Sequence, residues 1–179
     1  MDFRLIETPR LNLRLLTPEV YDYVFNRYSE EELRVFLGLD EADFEKEKDR
    51  YSKGMKTFNR SFANFQMIEK ASGKIIGWCG YHTWATDHSR AEIGYRMARD
   101  EYMNKGFMSE ALKAILHYGF TEMKLHRAEA LVADYNTASV SLLKKNNFTR
   151  EGVLREHYLV NGVFEESIMY SLLVSEYNV

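Results

Sequence analysis

Apolar and polar residues alternate in Leu11-Asn12-Leu13-Arg14-Leu15, which predicts a strand with one buried face. Thr17-Pro18-Glu19 follows as a helix start, with Thr as N-cap and Pro at the first helical position. The stretch from Glu30 to Lys56 is charged and helical, broken near Gly38. Phe65-Gln66-Met67-Ile68 and Ile75 to Tyr81 read as a hairpin joined by Lys70-Ala71-Ser72-Gly73. A further strand runs from Ala91 to Ala98. After it, Leu112, Ile115, Leu116, Gly119 and Met123 recur at helical spacing, giving a helix from Ser109 to Met123. Ala128 to Ala133 is again strand-like, and Asn136 is a good N-cap for a short helix. Tyr158-Leu159-Val160, Asn161-Gly162 and Val163-Phe164 form a strong hairpin signal. Antiparallel strands, then strand-helix-strand-helix, then a hairpin predict an α/β (α+β mixed) fold. We expect one domain over residues 1–179, with a mixed, mostly antiparallel central sheet flanked by helices and ending in the hairpin.

Composition narrows the function. The net charge is −3, so there is no strong positive field to hold nucleic acid. One cysteine, Cys79, rules out an intrachain disulfide and fits a reducing cytoplasm. The N-terminus does not read as a secretory signal, and no apolar run is long enough to cross a bilayer. We therefore expect a cytoplasmic protein without membrane or direct nucleic-acid partners, either monomer or homodimer. The five histidines lack ligand spacing, so no metal is expected.

The turn Asn104-Lys105-Gly106-Phe107-Met108-Ser109 connects a strand to a helix and carries a glycine at its centre. Unpaired backbone N–H groups and the helix dipole at such a turn suit a phosphate or pyrophosphate. Most such turns bind nothing, so the surrounding residues decide. G-x-G-x-x-G after a strand and G-x-x-x-x-G-K-[ST] are both missing, which argues against a dinucleotide fold or a P-loop.

The order and spacing of several short motifs resemble the GNAT superfamily of acetyl-CoA-dependent N-acetyltransferases, and within it the branch acting on ribosomal proteins. These are Glu7-Thr8-Pro9-Arg10-Leu11-Asn12-Leu13-Arg14, Ile76-Gly77, Ala91-Glu92-Ile93-Gly94-Tyr95, the loop Asn104 to Ser109, Asn136-Thr137-Ala138-Ser139, Asn147-Phe148, Glu151-Gly152 and Asn161-Gly162. The resemblance implies acetyl-CoA as co-substrate and an amine acceptor. The acceptor is a protein N-terminus such as that of a ribosomal protein, or a small amine such as a polyamine or aminoglycoside. A non-catalytic acyl-CoA-binding module is a further alternative. It implies a cofactor site from Met97, Asn104, Lys105, Gly106, Phe107, Met108, Ser109, Asn136, Ser139 and Lys144. Two departures stand out. Met103 replaces the leading Gln or Arg of the superfamily's loop, and Leu143 stands where many members carry a Tyr that serves as general acid.

Acetyl transfer to an amine needs a neutral amine, charge stabilisation at the carbonyl oxygen and help for the departing thiolate. Glu92 is the candidate base; its plain alternative is a solvated strand carboxylate. Ser139, on the first turn after the Asn136 cap, is the candidate for thiolate stabilisation; its alternative is a local bond to backbone. Lys105, Lys144 and Lys145 either reach phosphates or are solvated. Tyr81, Trp84 and Tyr158 are candidate substrate-pocket residues, with core packing as the competing role for the first two. His82 and His88 flank a loop before the Glu92 strand, as pocket-mouth or surface residues. The acidic segments Ser29 to Glu32 and Asp40 to Glu45 are either walls for a cationic amine or solvated helix faces.

Overall fold

The computed structural model describes residues 1–57 and 59–177. Strands β1 (Leu5–Glu7) and β2 (Leu11–Leu16) lead to helices α1 (Pro18–Phe25), α2 (Glu30–Leu37) and α3 (Glu41–Ser52). Then come β3 (Arg60–Glu69), β4 (Ile75–Ala85) and β5 (Arg90–Met97). Helix α4 (Phe107–Thr121), strand β6 (Arg127–Val132) and helix α5 (Thr137–Lys145) follow, and β7 (Thr149–Val160) and β8 (Val163–Leu173) close the chain. The strands form one sheet in the order β1-β2-β3-β4-β5-β6-β8-β7. Within it only β5 and β6 pair in parallel. This is the mixed, mostly antiparallel sheet expected from the alternation pattern.

Local chemistry sets the element ends. Thr17 accepts from the Val20 amide, with Pro18 in the first turn of α1. Ser29 and Glu32 form a reciprocal capping box on α2, and Gly38 ends that helix in the left-handed region. Asn136 caps α5 by accepting from the Ser139 amide at 3.1 Å. Asn161 and Gly162 both adopt positive φ, as a two-residue hairpin of type I′ requires.

The period-two alternation places two cores on opposite faces of the sheet. Leu11, Leu13 and Leu15 of β2 join Phe65 and Met67 of β3 against α4. Leu112, Ile115 and Leu116 of α4 lie there at 0–2% exposure. Each such buried side chain contributes about 1.5–3 kcal/mol. Leu16 and Phe62 turn to the other face, under Val20, Leu33, Leu37 and Phe44 of α1–α3. Gln66, fully buried on that face, accepts from Arg14 Nε and donates to the Phe36 and Leu37 carbonyls. A buried amide with its bonds made anchors the end of α2 to the sheet without a desolvation penalty.

A candidate acetyl-transfer site at the end of the parallel strand pair

The β5–β6 ladder is short. It covers Arg90–Arg127, Ala91–Ala128 and Glu92–Glu129, while β5 runs on to Met97. The outer half of β5 thus lacks a β6 partner and leaves its edge to a ligand. A cavity of about 360 Å³ opens beside it. Its walls gather Tyr95 and Met97 from β5, the Met103 to Ser109 turn, and Asn136, Ala138, Ser139 and Leu142 of α5. Of the expected cofactor residues, Met97, Asn104, Gly106, Phe107, Met108, Ser109, Asn136 and Ser139 all line this cavity. Lys105 and Lys144 are exposed and outside its lining.

The turn is built for backbone donation. Gly106 is the N-cap of α4 at φ 79°, with no side chain capping the helix. That conformation costs an L-residue about 1–2 kcal/mol, and glycine almost nothing. The uncapped first-turn amides lie at the positive end of the helix dipole, an arrangement that favours an anion. Arg10 of the loop before β2 clamps the turn. Its Nη1 donates to the Lys105 carbonyl at 2.9 Å, and its Nε meets Glu110 at 2.7 Å. Thr8 Oγ1 and the Arg10 amide donate to the same Glu110 carboxylate. Burial alone would raise the Glu110 pKa, but the Thr8 and Arg10 bonds outweigh it and hold it below the usual range. These residues make a cradle that fits a pyrophosphate. Met103, half exposed at the cavity rim, adds no charged contact.

Leu143 is fully buried, whereas its neighbour Leu142 lines the cavity. The helix register therefore points position 143 into the core. A tyrosine there would overpack the interior, at about 1–3 kcal/mol, and would not reach the cavity without rearrangement.

A second cavity, of about 280 Å³, lies on the opposite face, under α1 and α3. Tyr95 and Arg96 line both cavities, so the outer half of β5 is their shared wall. Trp78, Glu47, Arg50, Asn64, His82 and Gly94 also line the second one. Arg96 stacks over Trp78 at 4.4 Å. The His82 ring lies over Gly94, where any Cβ would clash with it.

Glu92 pairs with His82 across the β4–β5 ladder, and the two side chains approach to 3.6 Å. That is too long for a hydrogen bond. Burial, then the neighbouring Glu129 carboxylate, pushes the Glu92 pKa up; His157 opposes this. Burial, then Arg50, pushes His82 down, favouring the neutral ring. Glu92 is thus a partly buried carboxylate at the end of the strand pairing, with basicity raised toward neutral pH.

Two expected substrate residues lie elsewhere. Tyr81 is fully buried and donates to the Ile115 carbonyl at 3.2 Å, so it is core and reaches neither cavity. Trp84 lies within an irregularity of the β4–β5 register, between His82 and Ala85, and lines a separate pocket with Lys56, Arg60 and Thr86. Tyr158, on the exposed hairpin, lies within electrostatic reach of Glu92. In the acidic segments Glu30 and Glu45 meet Lys48 and Asp43 meets Lys46 on exposed helix faces, whereas Glu31 and Glu32 line a further cavity with Arg14 and Tyr28. His82 and Tyr95 acquire their places only through the cross-strand register, although Tyr95 follows Gly94 in a recognised motif. Among the described residues there is no group of three potential metal ligands and no helix long and apolar enough to span a membrane.

The family described as "Acetyltransferase (GNAT) domain" matches residues 10–149. A Bacillus licheniformis protein named "Uncharacterized N-acetyltransferase p20" is 34% identical, covering 95% of this chain and 96% of its own length. "Putative ribosomal N-acetyltransferase YdaF" of Bacillus subtilis is 27% identical, over 93% of each chain. A solved spermidine/spermine N-acetyltransferase SpeG from Vibrio cholerae superposes with a TM-score of 0.69 at 24% identity, covering 93% of this chain and 94% of its own. The chain belongs to the GNAT family of acetyltransferases and is an N-acetyltransferase. Enzymes of this family use acetyl-CoA as the acetyl donor.

Proposed function

We propose that this enzyme acetylates the N-terminal α-amine of a protein, such as a ribosomal protein, by direct attack of that amine on the acetyl-CoA thioester. One observation carries the reading: two cavities on opposite faces of the sheet share β5 as their wall, with Glu92 on the same strand. The α4-side cavity takes the pantetheine arm. Asn136 faces that arm, and the Gly106 turn holds the pyrophosphate. The second cavity admits the amine. Glu92 accepts the amine proton, directly or through water, and Ser139 orients toward the departing sulfur.

Two physical points favour an α-amine over a polyamine. A free α-amine has a pKa of about 8 and an alkylamine about 10.4, so a carboxylate deprotonates the former far more easily. The second cavity also presents two guanidinium groups, Arg50 and Arg96, against one carboxylate, Glu47. That balance suits an amine next to a peptide carbonyl better than a polycation. The relative named for ribosomal acetylation supports the same choice. Incubating the enzyme with labelled acetyl-CoA and a cell extract tests it. We expect the label on a protein N-terminus. Label confined to polyamines or other small amines would refute the proposed acceptor.

A further inference from the structure

The buried Leu143 leaves the departing thiolate without the helix-borne tyrosine found in many relatives, and Ser139 alone is a weak donor. Tyr95 fills the gap from another element. It sits on β5, three residues beyond the last β5–β6 pair, and lines the same cavity as Ser139. Both side chains wall that one cavity, and Ser139 is near enough to influence the Tyr95 phenol. Strand alternation turns Tyr95 to the α4 and α5 side, while Gly94 and Arg96 face the second cavity. Its aromatic ring packs against the core around α4, which limits the rotamers available to the hydroxyl.

Resting on the acetyltransferase reading above, we propose that Tyr95 is the positioning donor of the leaving-group site. Its O–H donates to Ser139 Oγ, so that the Ser139 O–H is aimed at the thioester sulfur. During transfer the amine nitrogen forms a bond to the acetyl carbon. The C–S bond breaks and its electron pair goes to the CoA sulfur. The amine proton goes to Glu92. Two coupled hydroxyls, Tyr95 to Ser139 to sulfur, spread the developing negative charge without a full proton transfer. Burial pushes the Tyr95 phenol up to about 12, a shift that the Ser139 contact opposes. The phenol therefore stays protonated, and able to donate, throughout the physiological range. Hydroxyl chains of this kind strengthen one another in a low-dielectric site.

The test uses the full chain, measured as free CoA thiol release with its acceptor. Tyr95→Phe keeps the ring and removes the donor. We expect kcat to fall several-fold, up to the roughly tenfold loss expected on removing Ser139 itself, with acetyl-CoA affinity unchanged by calorimetry. Replacing Tyr95 by 3,5-difluorotyrosine should move the alkaline limb of kcat to lower pH, which a packing role would not do. In a Ser139→Ala background, Tyr95→Phe should cost much less than in wild type, because the relay is already broken. A Tyr95→Phe enzyme with wild-type kcat, or one that loses kcat and acetyl-CoA affinity together, overturns the proposal. A wild-type enzyme that releases no thiol with any amine instead overturns the acetyltransferase reading on which it rests.

Discussion

The two cavities flanking β5 are built from different materials. On the α4 side one continuous turn around Gly106, with the first-turn amides of α4, meets apolar side chains such as Tyr95, Met97, Tyr102, Met108 and Leu142, with Asn136 and Ser139 added from α5. On the α3 side the walls are long side chains drawn from distant segments: Tyr21, Glu47, Arg50, Trp78, His82 and Arg96. A turn that works through its amides tolerates change in its side chains, Met103 among them. A site made of charged and aromatic side chains changes its preference with each substitution. On the function proposed above, the first face holds the acetyl donor and the second sets the acceptor.

The largest expected effect comes from removing the proposed base on the strand between the two faces. Glu92→Gln should lower kcat by about 10²–10⁴-fold with little effect on acetyl-CoA affinity. The pH dependence carries a sign. Glu92 must be ionised to accept a proton, and its pKa is raised by burial and then by Glu129. Activity should therefore rise with pH through a limb above the ordinary glutamate range, and Glu92→Gln should erase that limb. Wild-type kcat and pH profile in this variant would mean that solvent takes the proton.

Gly106→Pro should come next. Proline fixes φ near −65°, whereas this position needs 79°. A penalty of about 3 kcal/mol corresponds to roughly 10²-fold weaker acetyl-CoA binding. Calorimetry with circular dichroism distinguishes loss of the turn from loss of the fold. Unchanged affinity with the fold intact would remove the turn from the donor site. Ser139→Ala belongs to the same face but acts on charge, not on docking. It should slow turnover by about tenfold and spare affinity, and full activity would reduce Ser139 to a helix-start residue.

The smallest effect should fall on the acceptor face. Arg50→Ala should raise KM for a peptide acceptor several-fold, in the range of a single exposed charge contact, and leave acetyl-CoA affinity untouched. A fall in acetyl-CoA affinity would show that the faces are not separable. An unchanged KM would take Arg50 out of acceptor recognition.

This contrast also explains what the chain's residues announced and what they hid. The donor face is contiguous in sequence: a strand, a turn with Gly106, a helix and the Asn136 cap all carry local signals that survive into the fold. The acceptor face is assembled by register. His82 meets Glu92 only because β4 and β5 align those positions, and Glu47 and Arg50 arrive from a solvated-looking helix. Tyr81 and Trp84 are placed by the same logic, since period two fixes a side chain's face but not what covers that face. Leu143 and Leu142 differ by one residue on α5, and packing alone decides which of them sees the cavity.

Amine-dependent release of free CoA thiol from acetyl-CoA is the most direct measurement of the central claim. Release is expected only when an amine acceptor is present, with a peptide bearing a free α-amine outperforming spermidine, and near abolition by Glu92→Gln. Tight acetyl-CoA binding without thiol release on any amine would contradict it and leave a chain that holds the thioester without transferring the acetyl group.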